Sequence, residues 1–369
     1  MQPPKHIDTA LCPHFGECGG CRTQDVPYAT QVERKAEGLR DLFAPWWDAP
    51  VPVTPSPVVW HYRNKVDPTF APKQYPEPPP EGFVRETVLG FKKRGRWFWP
   101  LDIGECRIGP EGLDALLEGV RAWYRDQGLR AYDSRTDEGF LRVLLVRDAK
   151  RTGERMVVLI TRPGPFDATP FVDAVQRAYA PTSICRGEFS GKADVAAAER
   201  IEVLAGASAI TERLEIPDGE AVRRLEFRIS PMSFFQTNTL ATERLYAAIR
   251  ARVRDAAPAH LYDCYGGMGG IAFVCADLVP HVTSVENVAE ASEDGRHNAQ
   301  RNAIANVTCV TAKGKNWLRD RLEGEGLGAG AAVVVDPPRS GMVPKARRRL
   351  LQLGPERLLY VSCNPKLLA

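Results

Sequence analysis

Between His260 and Val361 five short strand-like runs, His260–Tyr265, His281–Val285, Val307–Val310, Ala331–Val335 and Leu358–Val361, are separated by stretches of helical pattern. Runs of four to six residues bounded by turn-formers are too short for a helix and long enough for a buried strand. Strand and helix in alternation point to an open sheet of parallel strands, because parallel neighbours need a helical crossover. Such a sheet binds its ligands outside the carboxyl ends of its strands, so the residues just after each run carry the functional information.

Those residues are distinctive. After the first run comes Gly266-Gly267-Met268-Gly269-Gly270, leading into an apolar helix from Ile271 to Leu278. Glycines there permit a tight turn and let helix-start amides face a ligand. The second run ends at Glu286, an acid suited to the ribose hydroxyls of an adenosine cofactor, which fits NAD and S-adenosylmethionine equally. The fourth ends in Asp336-Pro337-Pro338-Arg339, an acid on a rigid turn, and the fifth in Ser362-Cys363-Asn364-Pro365, a thiol on another. A lone cysteine is more often a buried filler than a nucleophile. The acid-Pro-Pro turn one strand away reverses that weighting and points to attack on a pyrimidine ring.

At 369 residues the chain exceeds one ordinary core. The expected division is an N-terminal cysteine segment and helix (1–50), a β-rich central domain (51–220) and a cofactor domain (221–369), with Pro217-Asp218-Gly219 as the linker. No stretch has the 18 or so apolar residues of a membrane span, and no secretion signal is evident, so a cytoplasmic protein is expected. A net charge of +3 announces no nucleic-acid partner by itself. The stretch Arg85–Trp99 does suggest one: Arg85, Lys92, Lys93, Arg94 and Arg96 alternate with Phe91, Trp97, Phe98 and Trp99, cations for phosphates beside rings for bases. The competing reading is a solvated hairpin tip.

Nine cysteines in a chain of this kind favour metal or catalytic thiols over a disulfide framework. Cys12, Cys18 and Cys21 form a C-x5-C-x2-C pattern with Gly19 and Gly20 inside it. Three thiolates need a fourth ligand, which Cys106 supplies for an iron–sulfur cluster and His14 for a zinc ion; local chemistry leaves both open.

Taken together, Cys12-x5-Cys18-Gly-Gly-Cys21 with Cys106, Tyr62-Arg63-Asn64-Lys65, Ser233-Phe234-Phe235-Gln236-Thr237-Asn238, the Asp263–Gly267 loop, Asp336–Arg339 and Ser362–Pro365 resemble the S-adenosylmethionine-dependent RNA uracil-C5 methyltransferases, in their iron–sulfur branch. The resemblance implies an α/β fold, a Rossmann-like class I methyltransferase domain preceded by a β-rich domain. It implies cofactor contacts from Gln236, Tyr265, Gly270, Glu286 and Asp336, Cys363 as nucleophile, and a [4Fe-4S] cluster on Cys12, Cys18, Cys21 and Cys106. The expected partner is RNA, 23S ribosomal RNA first and transfer RNA as the alternative, acted on by a monomer.

This sequence departs from the family pattern in three places. Gly266 replaces a usual cysteine, Ala312–Lys315 lacks the acid or amide that touches the cofactor, and the general-base glutamate expected downstream of the nucleophile has no counterpart before Ala369. The last departure, with the fifth strand left at a sheet edge, leads to the expectation of a chain truncated after that strand. A non-catalytic iron–sulfur RNA-binding protein is therefore the runner-up. An NAD oxidoreductase explains neither Cys363 nor the cysteine cluster.

Overall fold

The computed structural model describes residues 12–77, 79–80 and 82–369, with only the backbone of Trp97; the first eleven residues of the expected N-terminal segment lie outside it. After a loop holding Cys12, Cys18 and Cys21 come α1 (Tyr28–Phe43), β1 (Lys65–Val66), β2 (Thr69–Pro72), β3 (Thr87–Lys93), β4 (Arg96–Asp102) and α2 (Leu113–Asp126). Next are β5 (Leu141–Asp148), β6 (Arg155–Thr161), α3 (Thr169–Tyr179), β7 (Ser183–Glu188), β8 (Arg200–Gly206), β9 (Ile210–Asp218) and β10 (Ala221–Ile229). The chain then runs through α4 (Thr239–Ala256), β11 (His260–Cys264), α5 (Gly270–Cys275), β12 (His281–Glu286), α6 (Ala289–Arg301) and β13 (Val307–Thr311). It ends with α7 (Gly314–Glu323), β14 (Ala331–Val335), α8 (Pro344–Leu353), β15 (Arg357–Tyr360) and α9 (Pro365–Leu368).

These elements form two compact units. The first holds residues up to Gln31, Pro57–Ile210 and Ser230–Met232; the second holds Val32–Ser56, Thr211–Ile229 and Ser233–Ala369. In the first, β4-β3-β2-β5-β6-β7-β8 form one sheet with β1 also paired to β5. β5 and β6 form a hairpin around Ala149–Glu154, with Leu144 opposite Leu159 and Val146 opposite Val157. β5 is buried along its whole length, and α2 and α3 cover one face of it, with Leu116, Leu117, Val120, Trp123 and Phe171 packed on Leu144, Val146 and Leu159.

In the second unit the sheet order is β13-β12-β11-β14-β15, every pair parallel. All five expected strands are there. β14 is buried at every residue, the mark of a central parallel strand covered on both faces, and its Val/Ala sequence suits that environment. Val333 and Val335 meet Trp317 and Leu318 of α7 and Ala346 and Leu350 of α8. Side-chain alternation along β11 sends Tyr262 and Cys264 into this layer and Asp263 to the opposite face.

Pro217-Asp218-Gly219, expected as a linker, instead closes a hairpin of β9 and β10. Pro217 and Asp218 end β9, and Gly219, with φ of 65°, turns the chain as two-residue hairpin loops require. The outer edge of β10 is completed by side chains of α6 rather than by another strand. The Asn298 Oδ1 accepts the Arg228 N–H at 2.6 Å, and Asn302, one helical turn on, accepts the Glu226 N–H at 2.9 Å and donates to the Glu226 carbonyl at 2.7 Å.

Asn298 is wholly buried, so Asn298→Ala removes a buried side-chain acceptor from the Arg228 N–H. The expected cost is about 1–3 kcal/mol, read as a lower urea midpoint at unchanged slope.

Candidate active site

β11, β12, β14 and β15 run parallel and in register, with Cys264 opposite both Val285 and Val335, and Val335 opposite Tyr360. Their carboxyl ends therefore open on one edge, where Tyr265, Glu286, Asp336 and Cys363 all follow their strands.

The chain leaves β11 through a strained turn. Tyr265 has φ of 68°, a left-handed backbone rare for a residue with a side chain, and it is held there because the Tyr265 and Gly266 N–H groups both donate to the Val285 carbonyl at 3.0 Å. A Cβ at Gly266 would overlap Ser284 Oγ and lie 3.1 Å from the Asp263 carboxylate, so a side chain here requires the Ser284 hydroxyl to turn away. At Gly270, where α5 begins, a Cβ would run into Tyr246 Oη. The backbone here is thus pressed against its own floor, leaving the space above it free.

That space is a cleft of about 390 Å³ whose lining includes Gln236, Tyr265, Gly270 and Asp336, four of the five residues that the sequence nominated for cofactor contact. Gln236 Nε2 donates to Asp336 Oδ2 at 3.1 Å, joining the loop before α4 to the turn after β14. Burial pushes the Asp336 carboxyl up to about 6, and Gln236 holds it from going higher. The fifth residue, Glu286, reaches the loop from below. Its Oε2 accepts the Gly267 N–H at 3.0 Å and its Oε1 accepts the Asn287 and Val288 N–H groups at 2.7 Å.

Cys363 stands outside the lining, exposed, three residues beyond β15. Its turn is fixed by Ser362, whose Oγ accepts the Asn364 N–H at 3.1 Å and donates to the Asn364 carbonyl at 3.0 Å. The Val361 N–H donates to the Val335 carbonyl at 2.8 Å, so the pairing of the two strands continues to within two residues of the thiol and one of Asp336.

Three features of the site were not nominated from the sequence. Asp263 is completely buried in the cleft wall, its Oδ2 accepting the Ala272 N–H at 3.0 Å while its Oδ1 has no partner among the described residues. Its place just before a glycine loop was the available signal. Phe234, 63% exposed, and buried Phe235 line the cleft beside Gln236. Finally, the loop that carries these three is anchored by Ser233, whose Oγ donates to buried Asp294 of α6 at 2.5 Å, and Asp294 is also paired to Arg228. Nothing in linear spacing links Ser233 to Asp294, 61 residues away.

In the first unit, Cys12, Cys18, Cys21 and Cys106 line one cleft of about 320 Å³ with His14 and Gln24. Burial pushes the Cys18, Cys21 and Cys106 thiols up, and their mutual proximity adds to it. Among the described residues no three ligating side chains converge closely enough to hold a single metal ion. His14 Nε2 accepts the Gly104 N–H at 3.0 Å, which occupies the lone pair that a zinc site would need from it.

The basic hairpin of β3 and β4 is engaged with this loop. The Gly19 N–H donates to the Lys92 carbonyl at 2.9 Å, the Arg94 N–H to the Glu17 carbonyl at 2.8 Å, and the Arg94 guanidinium to the Cys21 carbonyl at 2.5 Å. Lys93 pairs with Glu17, Lys92 with Asp194 at 2.6 Å, and Arg96 lies over the Trp99 ring at 5.2 Å. Of the cations expected to face RNA, Lys93 and Arg94 thus clamp the cysteine loop, while Lys92 and Arg96 are engaged with Asp194 and Trp99.

Asp263 gives the site a pH signature. Burial, more than the nearby Asp336 and Glu286, pushes its carboxyl up from 3.8 to about 7. The folded state thus keeps a proton that the unfolded chain has released, so the contribution is whole below about pH 4 and is lost as pH rises through about 7. Asp263→Asn, neutral throughout, should gain stability relative to the parent between pH 4 and 8 in parallel denaturation series. A constant gap would contradict the assignment.

A sequence model described as tRNA (Uracil-5-)-methyltransferase matches residues 194–369. The chain is 32% identical to an RNA methyltransferase of Protochlamydia amoebophila over 99% of its own length and 84% of the relative's. It is also 32% identical to the tRNA (uracil(54)-C(5))-methyltransferase of Pyrococcus furiosus, over 97% of this chain and 76% of that one. The crystal structure of the Pyrococcus abyssi tRNA (uracil-54, C5)-methyltransferase with S-adenosyl-L-homocysteine superposes with a TM-score of 0.70 at 26% identity, covering 95% of this chain and 77% of that one. Sequence and fold agree over nearly the whole length, and the chain belongs to the tRNA (uracil-5-)-methyltransferase family.

Proposed function

We propose that this S-adenosylmethionine-dependent RNA uracil-C5 methyltransferase works through a covalent adduct of Cys363 with C6 of the target uridine. The observation that carries the reading is the β14–β15 register, which sets Cys363 and Asp336 on neighbouring turns of one sheet edge, Asp336 in the cleft lining and Cys363 exposed outside it.

The cleft suits the cofactor. Asp263 Oδ1, buried and unpartnered, provides a negative group for the ammonium of the amino-acid portion, and Glu286 stands where an acid meets ribose hydroxyls. Tyr265 and the Gln236 loop form its sides. S-adenosylmethionine supplies a methyl group on a sulfonium, a good leaving group.

Uracil C5 is too weak a nucleophile to take that methyl unaided. Addition of the Cys363 thiolate at C6 pushes the ring electrons onto C5 as an enolate, which then bonds the methyl carbon and releases S-adenosylhomocysteine. A base removes the C5 proton, the electron pair re-forms the C5–C6 double bond, and the thiolate leaves. In this reading Asp336, tied to Gln236, hydrogen-bonds the uracil ring and orients it.

We read the four thiols around one cleft as the ligands of a [4Fe-4S] cluster rather than of zinc, since His14 is otherwise engaged. Cys12, Cys18, Cys21 and Cys106 would hold it, and binding would reverse the upward shift of the Cys18, Cys21 and Cys106 thiols. As RNA substrate, the relatives whose names specify one favour transfer RNA, with 23S ribosomal RNA the second candidate.

Two experiments test this. With S-adenosylmethionine and RNA containing 5-fluorouridine, fluorine cannot leave as a proton, so the parent protein should form an adduct that survives denaturing electrophoresis and Cys363→Ala should form none. An undiminished adduct in the variant would refute the nucleophile. Anaerobically purified protein should contain iron and sulfide, and Cys106→Ser should lower both at least several-fold. Zinc in their place would refute the cluster.

A further inference from the structure

Resting on the reading above, we propose that the outward face of α8, carrying Lys345, Arg347 and Arg348, is the surface that holds the RNA phosphodiester backbone next to Cys363. From Arg339 to Arg349 there are five cations in eleven residues, and no acid occurs between Asp336 and Glu356. α8 turns Ala346 and Leu350 into the core, which leaves Lys345, Arg347 and Arg348 exposed. None of these three forms an ion pair among the described residues. Elsewhere in the second unit some exposed arginines are paired, Arg296 with Glu293 and Arg319 with Asp320, and others such as Arg252 and Arg357 are not, but only on α8 do three unpaired cations fall within four residues. Arg349 is the structural member of the run, its guanidinium donating to the Lys315 carbonyl at 2.5 Å.

The placement of these charges works against the helix. The amino end of a helix carries partial positive charge and favours acids, yet the first turn of α8 has none and holds Lys345 instead. Fold stability gives no reason for cations there, whereas an anion bound across that turn gains from both the side chains and the dipole. The location fits RNA in particular. α8 starts from the turn that follows Asp336 and hands on to β15, so its amino end lies at the sheet edge of Cys363, and exposed Lys366 extends the positive charge past the thiol. Phosphate contacts here fix the register of the strand, while the cleft reads the base.

The test measures binding of an unmodified transfer RNA transcript across a salt series, for the full chain and for Lys345→Gln/Arg347→Gln/Arg348→Gln. Each lost phosphate contact should lower the slope of log K against log salt by about 0.7–0.9, so the triple variant should lose roughly two units. Affinity near physiological salt should fall at least tenfold while S-adenosylhomocysteine binding, which reports an intact cofactor domain, is unchanged. A parent-like slope in the triple variant, with the parent binding RNA, would overturn this surface and leave the functional reading standing. Failure of the parent to bind RNA in a salt-dependent way would overturn both. If the variant keeps its RNA slope but loses retention on polyglutamate, an acidic protein occupies the face and the proposal fails.

Discussion

The second unit depends on β14. Ala331–Val335 is buried on both faces and paired in parallel with β11 on one side and β15 on the other. That pairing brings a glycine loop, an acid on a double-proline turn and a cysteine, distant in sequence, to one edge. Parallel register is strict where both faces are buried, since a slip of one residue would exchange the layers on the two sides. Asp336 and Cys363 are consequently placed by the apolar core rather than by contacts between themselves.

The strain in the site has a visible source. Tyr265 is left-handed because two amides converge on the Val285 carbonyl, and Gly266 sits close over Ser284 and Asp263. The same crowding seals Asp263 away from water and lifts its carboxyl to about 7. A cofactor bearing positive charge would reverse that penalty, so the cost of burying the acid in the free protein becomes selectivity for a cationic ligand.

Much of this was legible in the sequence. Short apolar runs ended by turn residues located all five strands of the second sheet, and the chemistry-bearing residues after them located its working edge. What could not be read were relations between segments that share no periodicity. Asn298 and Asn302 look like ordinary polar positions of α6 until β10 is seen to lack a strand on its outer side. Arg85–Trp99 reads as an RNA arm, and the partners that Lys93, Arg94 and Lys92 find in Glu17, Cys21 and Asp194 could not be read from the sequence. Conversely, the run from Lys345 to Arg348 reads as a plain surface helix until its lack of ion pairs and its position beside Cys363 are known. Cation count alone does not distinguish spent charge from available charge; partners do.

The central claim is that carbon C5 of a uridine is the methyl acceptor and that Cys363 activates it. Transfer RNA transcribed with uridine tritiated at C5 measures this directly, since replacing the C5 hydrogen by methyl must release tritium to water. Release should match methyl transfer one for one and vanish in Cys363→Ala. Methyl groups entering the RNA with the tritium retained would place them on another atom and contradict the account.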